Sequence, residues 1–198
     1  MKDNMIIGIV GGAASGKDTV AGILAQSASG VHISCSDCVR EEIRTRGLAV
    51  NRSIQREVAN EMRRLEGGNY WIKRALSKLE RLTGLIIISG LYALGEGEFI
   101  KNQGGLIIGV VASLDADQDL SMRYQRLLDR SDGPRDALSY SDFLESSKRE
   151  NSGSSGYDTN IGQLLRISDE IIINGDGALD GVKLKVESIT RSISRGLQ

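Results

Sequence analysis

Five short, mostly apolar runs punctuate the chain: Met5–Gly11, Val31–Cys35, Leu85–Ser89, Leu106–Leu114 and Glu170–Asn174. Runs this short and this apolar predict strands buried on both faces. Between them apolar positions recur at helical spacing, which predicts helices over Asp18–Gln26, Asp37–Arg46, Ser53–Glu66, Tyr70–Leu82, Glu96–Asn102, Asp119–Asp129, Tyr140–Glu150 and Leu179–Arg195. Alternation of buried strand and helix predicts an α/β fold in three layers, α/β/α, with about five parallel strands. The helices from about residue 38 to 82 form an insert after the second strand, and a lid region runs over about 119–160. Asn151–Tyr157 (NSGSSGY) is rich in Ser and Gly and predicts a flexible surface connection, with a lid hinge as the functional alternative.

The chain has 198 residues, a length that suits one domain. With 40% hydrophobic and 26% charged residues the composition is globular rather than disordered. Lys plus Arg number 25 against 26 Asp plus Glu, so no basic excess drives counterion release and general nucleic-acid binding is disfavoured. No polybasic segment marks a membrane surface, and the longest apolar runs are too short to span a bilayer. Two cysteines supply no disulfide framework, which points to a reducing, cytoplasmic setting. The N-terminal stretch has a lysine before apolar residues, but Asp3 interrupts it and its small residues belong to a loop, so it does not read as a signal peptide. Nothing in the sequence selects between a monomer and a homodimer.

That loop is the strongest chemical signal. Gly11–Lys17 reads G-x-x-x-x-G-K, follows a buried strand and opens a helix. Small residues at Gly11, Gly12, Ala13, Ala14, Ser15 and Gly16 let backbone N–H groups curl around phosphates at a helix N-terminus. Lys17 then reaches the terminal phosphates. A chance glycine-rich turn is the bland reading, and the flanking elements and the lysine weigh against it. Asp18 stands where a Ser or Thr usually supports Mg²⁺. Asp18 is therefore a candidate metal ligand, directly or through water, with Thr19 beside it. The glycines lack the G-x-G-x-x-G spacing of a dinucleotide site. No Asn-Lys-x-Asp reads a guanine, and the third strand ends in Ser89 without the acidic pair of a motor ATPase.

Asp37 lies where the second strand meets its helix, the ligand-binding end of a parallel sheet. It is a candidate to orient an acceptor or take its proton, or equally a helix N-cap. Arg52, Arg56 and Arg63 share one face of the following helix and suit an anionic acceptor. Arg123, Arg126 and Arg130 share a face of a later helix and suit a lid that neutralises a transferring phosphoryl group. Ordinary solvated faces are the alternative for both sets. His32, Cys35 and Cys38 offer three soft ligands, but a closed zinc site needs four, so core or cleft roles are favoured over metal or redox work.

The whole pattern resembles the P-loop nucleotide kinases, most of all the branch of dephospho-CoA kinase and nucleoside monophosphate kinase-like proteins. The likeness runs through IGIVGGAASGKDTVA, ISCSDCVREEIRTRG, NRSIQREVANEMRR, SGLYALGEGEFIKN, MRYQRLLDR and NIGQLLRISDEIIINGDGALDGV. It implies ATP with Mg²⁺ as donor and a small nucleotide-like acceptor. It implies Lys17 at the transferring group, Asp37, Arg40 and Arg63 on the acceptor side, and Arg123, Arg126 and Arg130 in the lid, with Arg130 also on the nucleotide. The turn of Asn174, Gly175 and Gly177 would border the adenine. Related sequences carry Asp-Gly-x-Arg where this chain has Ser89-Gly90-Leu91-Tyr92, so an acid and an arginine are missing. Glu96 or Glu98 are candidates to compensate. A nucleotide-binding sensor or partner-binding module without turnover is the second expectation, and a redox or zinc protein using Cys35 and Cys38 the third.

Overall fold

The computed structural model describes residues 4–80, 83–129, 139–177 and 179–196, with side chains described through 193. Five strands form one sheet: β1 (Asn4–Val10), β2 (Val31–Ser34), β3 (Gly84–Leu91), β4 (Leu106–Val111) and β5 (Glu170–Ile173). Their order is β2-β3-β1-β4-β5 and every pairing is parallel. The fold is thus the expected three-layer α/β/α architecture.

Side-chain alternation explains the layers, because successive strand residues point to opposite faces. Ile6, Ile86 and Ile88 join one core with α2 (Cys35–Thr45), α3 (Arg52–Glu66), α4 (Tyr70–Leu76), α5 (Leu94–Asn102) and α8 (Ile161–Arg166). Ile7, Ile9, Ile87 and Ile108 join the other with α1 (Lys17–Ser27) and α9 (Leu179–Gly196). In α1, Val20, Ala21 and Leu24 are buried at helical spacing. In α9, Val182, Val186, Ile189 and Ile193 repeat that stripe. Two further helices, α6 (Ala116–Asp129) and α7 (Tyr140–Arg149), meet over the loop after β1, where Leu127, Phe143 and Ala14 cluster. Among the described residues no helix is long and apolar enough to cross a membrane.

The helices between β2 and β3 pack onto the sheet. Trp71 is fully buried, and its indole N–H donates to the carbonyl of Ala59 at 3.1 Å, pinning α4 to α3. Helix α2 starts two residues before the expected Asp37, because Cys35, Cys38, Val39 and Ile43 form its buried stripe. Helix α6 likewise starts early, where the Asp115 carboxylate accepts from the Gln118 N–H. Strand β3 runs past Ser89 to Leu91 beyond an irregularity in its pairing with β1. Helix α4 ends at Leu76, short of the expected Leu82; residues 81–82 lie outside those described.

Helix α8 lies in a stretch for which the pattern predicts no element, since six residues carry too little periodicity; Asn160 caps it by accepting from the Gln163 N–H, and Ile161 and Leu164 are buried. The Ser/Gly segment lies at the surface, as expected, but its backbone is bonded in place. Gly156 accepts from Gly95 N–H, Gly153 N–H donates to Thr159, and Asn160 N–H donates to Tyr92 at 2.7 Å. Arg64 and Asp158 add an ion pair to α3. Backbone hydrogen bonds, not side-chain burial, tie this segment down, and composition does not reveal them.

Candidate functional site: a phosphate loop facing an arginine-lined cleft

The loop between β1 and α1 is shaped by steric demands. Gly16 has φ +86°, the left-handed region, and a β-carbon there would lie 2.0 Å from Asn174 Nδ2. A β-carbon on Gly12 would strike the Arg123 guanidinium at 2.5 Å. Gly16 provides no side-chain cap to α1. The first N–H groups of α1 therefore stand at the loop with the positive end of the helix dipole behind them, as an anion site requires. Ser15 is fully buried, and its Oγ has no hydrogen-bond partner among the described residues.

In front of the loop opens a cleft of about 560 Å³. Lys17 and Asp18 line it from the loop side, with Ala13 and Ala14. Asp37 and Arg40 line it from α2, and Arg52, Arg56 and Arg63 from α3. The structure thus brings the loop and the acceptor-side candidates to one cavity. Lys17 Nζ lies 3.7 Å from Asp18 Oδ2. Thr19 is exposed on α1 and is not part of the cleft lining, so Asp18 is the metal candidate of the two.

Asp37 is the third residue of α2, not its N-cap; that position belongs to Ser34. Its exposed carboxylate pairs with Arg40 one turn on. Arg63 departs most from expectation. It is 1% exposed, and its Nε and Nη2 both lie 2.9 Å from Glu96 Oε1, while Nη1 donates to Asn60 at 3.0 Å. Glu96 Oε2 accepts from the N–H groups of Tyr92 and Ala93, capping α5. Arg63 is therefore a neutralised post in the cleft floor rather than a companion of Arg52 and Arg56. Glu96 is equally committed and does not replace the missing acid.

The arginines of α6 contact the phosphate loop and the turn after β5. Arg123 Nε donates to the Ala13 carbonyl at 2.8 Å, Nη1 pairs with Asp119 at 2.9 Å, and the guanidinium lies over the Phe143 ring. It staples α6 and α7 to the loop and does not lie on a solvated face. Arg126 Nη2 donates to the Asn174 carbonyl at 2.6 Å and lies 3.1 Å from Asp176. Its Nη1 is buried without a partner among the described residues. Arg130 lies outside the described residues. Asn174 Nδ2 donates to the Ser15 carbonyl at 2.9 Å, so the turn of Asn174, Gly175 and Gly177 sits against the loop, with Gly177 at φ +70°.

Sequence reading missed two features. Glu150, at the end of α7, lines the cleft. Burial raises its pKa even though Arg123, Arg52, Lys17 and Arg56 pull it down. In sequence it looks like any polar helix terminus. Ser89 Oγ lies 2.7 Å from Asp18 Oδ1 and 2.9 Å from His32 Nε2. Burial works against ionisation of Asp18, but Lys17, the Ser89 hydroxyl, His32 and Arg40 outweigh it and hold its carboxyl below the usual carboxylate range. The β2–β3 register, which pairs Ser34 with Ser89 and His32 with Ile87, brings His32 to Ser89, and no local pattern in the sequence announces it.

The cysteines do not suit thiolate chemistry. Burial pushes both thiols up, Cys35 strongly and with Glu96 adding to it, whereas reactive thiols need the opposite shift. Among the described residues no three His, Cys, Asp or Glu side chains stand together as a metal set.

The sheet order, the loop and the flanking helices define the fold of the P-loop kinases. A putative kinase of Chloroflexus aurantiacus superposes over 100% of this chain and 98% of its own, with TM-score 0.59 and 18% identity. Shikimate kinase of Acinetobacter baumannii, solved with shikimate, superposes over 98% and 92%, with TM-score 0.51 and 16% identity. Residues 10–140 match the AAA_17 family, an AAA domain, and the chain belongs to that family. A UPF0200/UPF0201 protein of Archaeoglobus fulgidus is 30% identical over 152 residues, 74% of this chain and 45% of that protein. A UPF0200 protein of Methanosarcina barkeri is 32% identical over 114 residues, 56% of this chain and 61% of that protein. The chain thus spans less than two thirds of the length of these relatives.

Proposed function

We propose that the protein is an ATP-dependent phosphotransferase acting on a small nucleotide-like acceptor, of the nucleoside monophosphate or dephospho-CoA type. One observation carries this reading: the phosphate loop with Lys17 and the cationic wall of Arg40, Arg52 and Arg56 line the same cleft. A donor polyphosphate on the loop and an anionic acceptor on the wall would meet in between. Much of the catalytic gain in such a reaction comes from positioning and electrostatic stabilisation.

An acceptor oxygen attacks the γ-phosphorus, the bond to the β-bridging oxygen breaks, and ADP leaves. Lys17 holds the charge that develops on the transferring group. Asp37 orients the acceptor, taking its proton where the acceptor is a hydroxyl. Arg52 and Arg56 grip its anionic end. Arg123 keeps the loop in shape through Ala13, and the Asn174 turn borders the base. The carboxylate of Asp18, held by the Ser89 hydroxyl, suits a hard cation such as Mg²⁺. When bound, Mg²⁺ would neutralise phosphate charge. A panel of nucleoside monophosphates and dephospho-CoA, read as acceptor-dependent ADP release, tests the reading; ADP release that no acceptor raises contradicts it.

One observation favours a second reading. Tyr92 lines the cleft where related sequences place an arginine, which fits a nucleotide-binding module without turnover. Restoring S89D and Y92R separates the two, because a silent module gains turnover and a working kinase does not. A cytoplasmic setting and a small-molecule acceptor rather than nucleic acid or membrane remain part of the proposal.

A further inference from the structure

In nucleotide-binding loops of this kind, Mg²⁺ is held by a hydroxyl that follows the loop lysine and by a carboxylate on a neighbouring strand. In this chain the residue after Lys17 is Asp18, and the strand supplies Ser89. The two side chains still meet, with Ser89 Oγ 2.7 Å from Asp18 Oδ1. A carboxylate accepts, so the serine proton points to Asp18. The hydroxyl has no second proton, so its lone pair accepts from His32 Nε2 at 2.9 Å, which makes Nε2 the protonated nitrogen. A directed chain runs from β2 through β3 to α1, 71 residues separating its last two members.

We propose that hydroxyl and carboxylate have exchanged places: Asp18 is the metal-holding acid, Ser89 is the positioning residue that orients it, and His32 fixes Ser89. The exchange keeps one hydroxyl, one carboxylate and one negative charge at the site. It accounts for both departures of the sequence, the unexpected acid after Lys17 and the absent acid on β3, with a single hydrogen bond. Asp18 suits the task, since its side chain is 61% exposed, lines the cleft and presents Oδ2 towards Lys17. Ser89 by contrast is fully buried and cannot be a primary ligand without leaving its two partners. The exchange rests on the nucleotide-site reading above and deepens it.

The test is calorimetric titration of the full chain with a non-hydrolysable ATP analogue, in Mg²⁺ and in EDTA. Wild type binds more tightly with Mg²⁺. D18S loses that gain but still binds the analogue without metal, at least as tightly as wild type because an anion beside Lys17 is gone, and the double variant D18S/S89D recovers the gain. S89A cuts the Mg²⁺ gain about tenfold, as loss of an orienting partner does elsewhere, and S89T retains it. Metal-free affinity reports in each case that the loop is still folded, and the serine series stands if D18S does not fold. A Mg²⁺ gain that survives in D18S, or a double variant no better than D18S, overturns the exchange and leaves the nucleotide site intact. A wild type that binds the analogue in neither buffer overturns both.

Discussion

Asn174 holds the phosphate loop from the far end of the chain: its Nδ2 donates to the carbonyl of Ser15 at 2.9 Å, across 159 positions. The same amide fills the space that a β-carbon on Gly16 would need. The end of β5 and the loop after β1 are therefore one mechanical unit, and the proposed nucleotide site rests on both.

Removal of that link in N174A is expected to cost about 0.5–1.5 kcal/mol of stability and to weaken ATP-analogue binding. G16A is expected to cost more. Its φ of +86° alone carries a penalty of about 1–2 kcal/mol for a residue with a β-carbon, before the contact with Asn174. In the N174A background the contact disappears and the backbone strain stays, so G16A costs less there but still destabilises. Denaturant unfolding of the four proteins checks this.

The buried pair of Arg63 and Glu96 makes a stability prediction. E96Q strands a guanidinium 1% exposed, and breaking a buried pair in this way costs about 3–5 kcal/mol. E96Q also weakens the cap of α5, since Glu96 Oε2 accepts two N–H groups there. A surface arginine on an acceptor face would give almost no stability change. Chemical unfolding midpoints distinguish the two.

These two cases show where the sequence was legible. The loop of Gly11–Lys17 could be read because its spacing, its strand and its helix are local. The sheet could be read because Leu85–Ser89 and its counterparts are apolar on both faces. Arg63 could not, because periodicity gives a helix face but not the acid that meets it, and Glu96 lies 33 residues away. Asp18 and Ser89 were each noticed as an anomaly, yet only the tertiary structure pairs them. Helix α8 was too short to show a period, and the backbone bonds of Gly153 and Gly156 leave no trace in composition.

Glu150 gives a pH dependence. Its folded pKa lies above the ordinary carboxylate value, so its ionised form opposes folding. That penalty is full above the folded pKa and is relieved as pH falls through it towards the unfolded value of 4.5. E150Q should therefore stabilise the protein at neutral pH, with the gain vanishing at pH 4. The variant should also bind the ATP analogue more tightly, because it removes an anion that faces Lys17, Arg52, Arg56 and Arg123. Thermal melts from pH 4 to 8 and a titration at neutral pH check both signs.

The central claim is that the loop after β1 grips a polyphosphate with Lys17. Thermal stabilisation by a non-hydrolysable ATP analogue tests it most directly, because ligand that binds the folded state alone raises its stability by mass action. The account predicts that wild type is stabilised in proportion to the logarithm of analogue concentration and that K17A loses most of that rise, measured from its own unligated melting point. Equal stabilisation of wild type and K17A, or none in either, contradicts it.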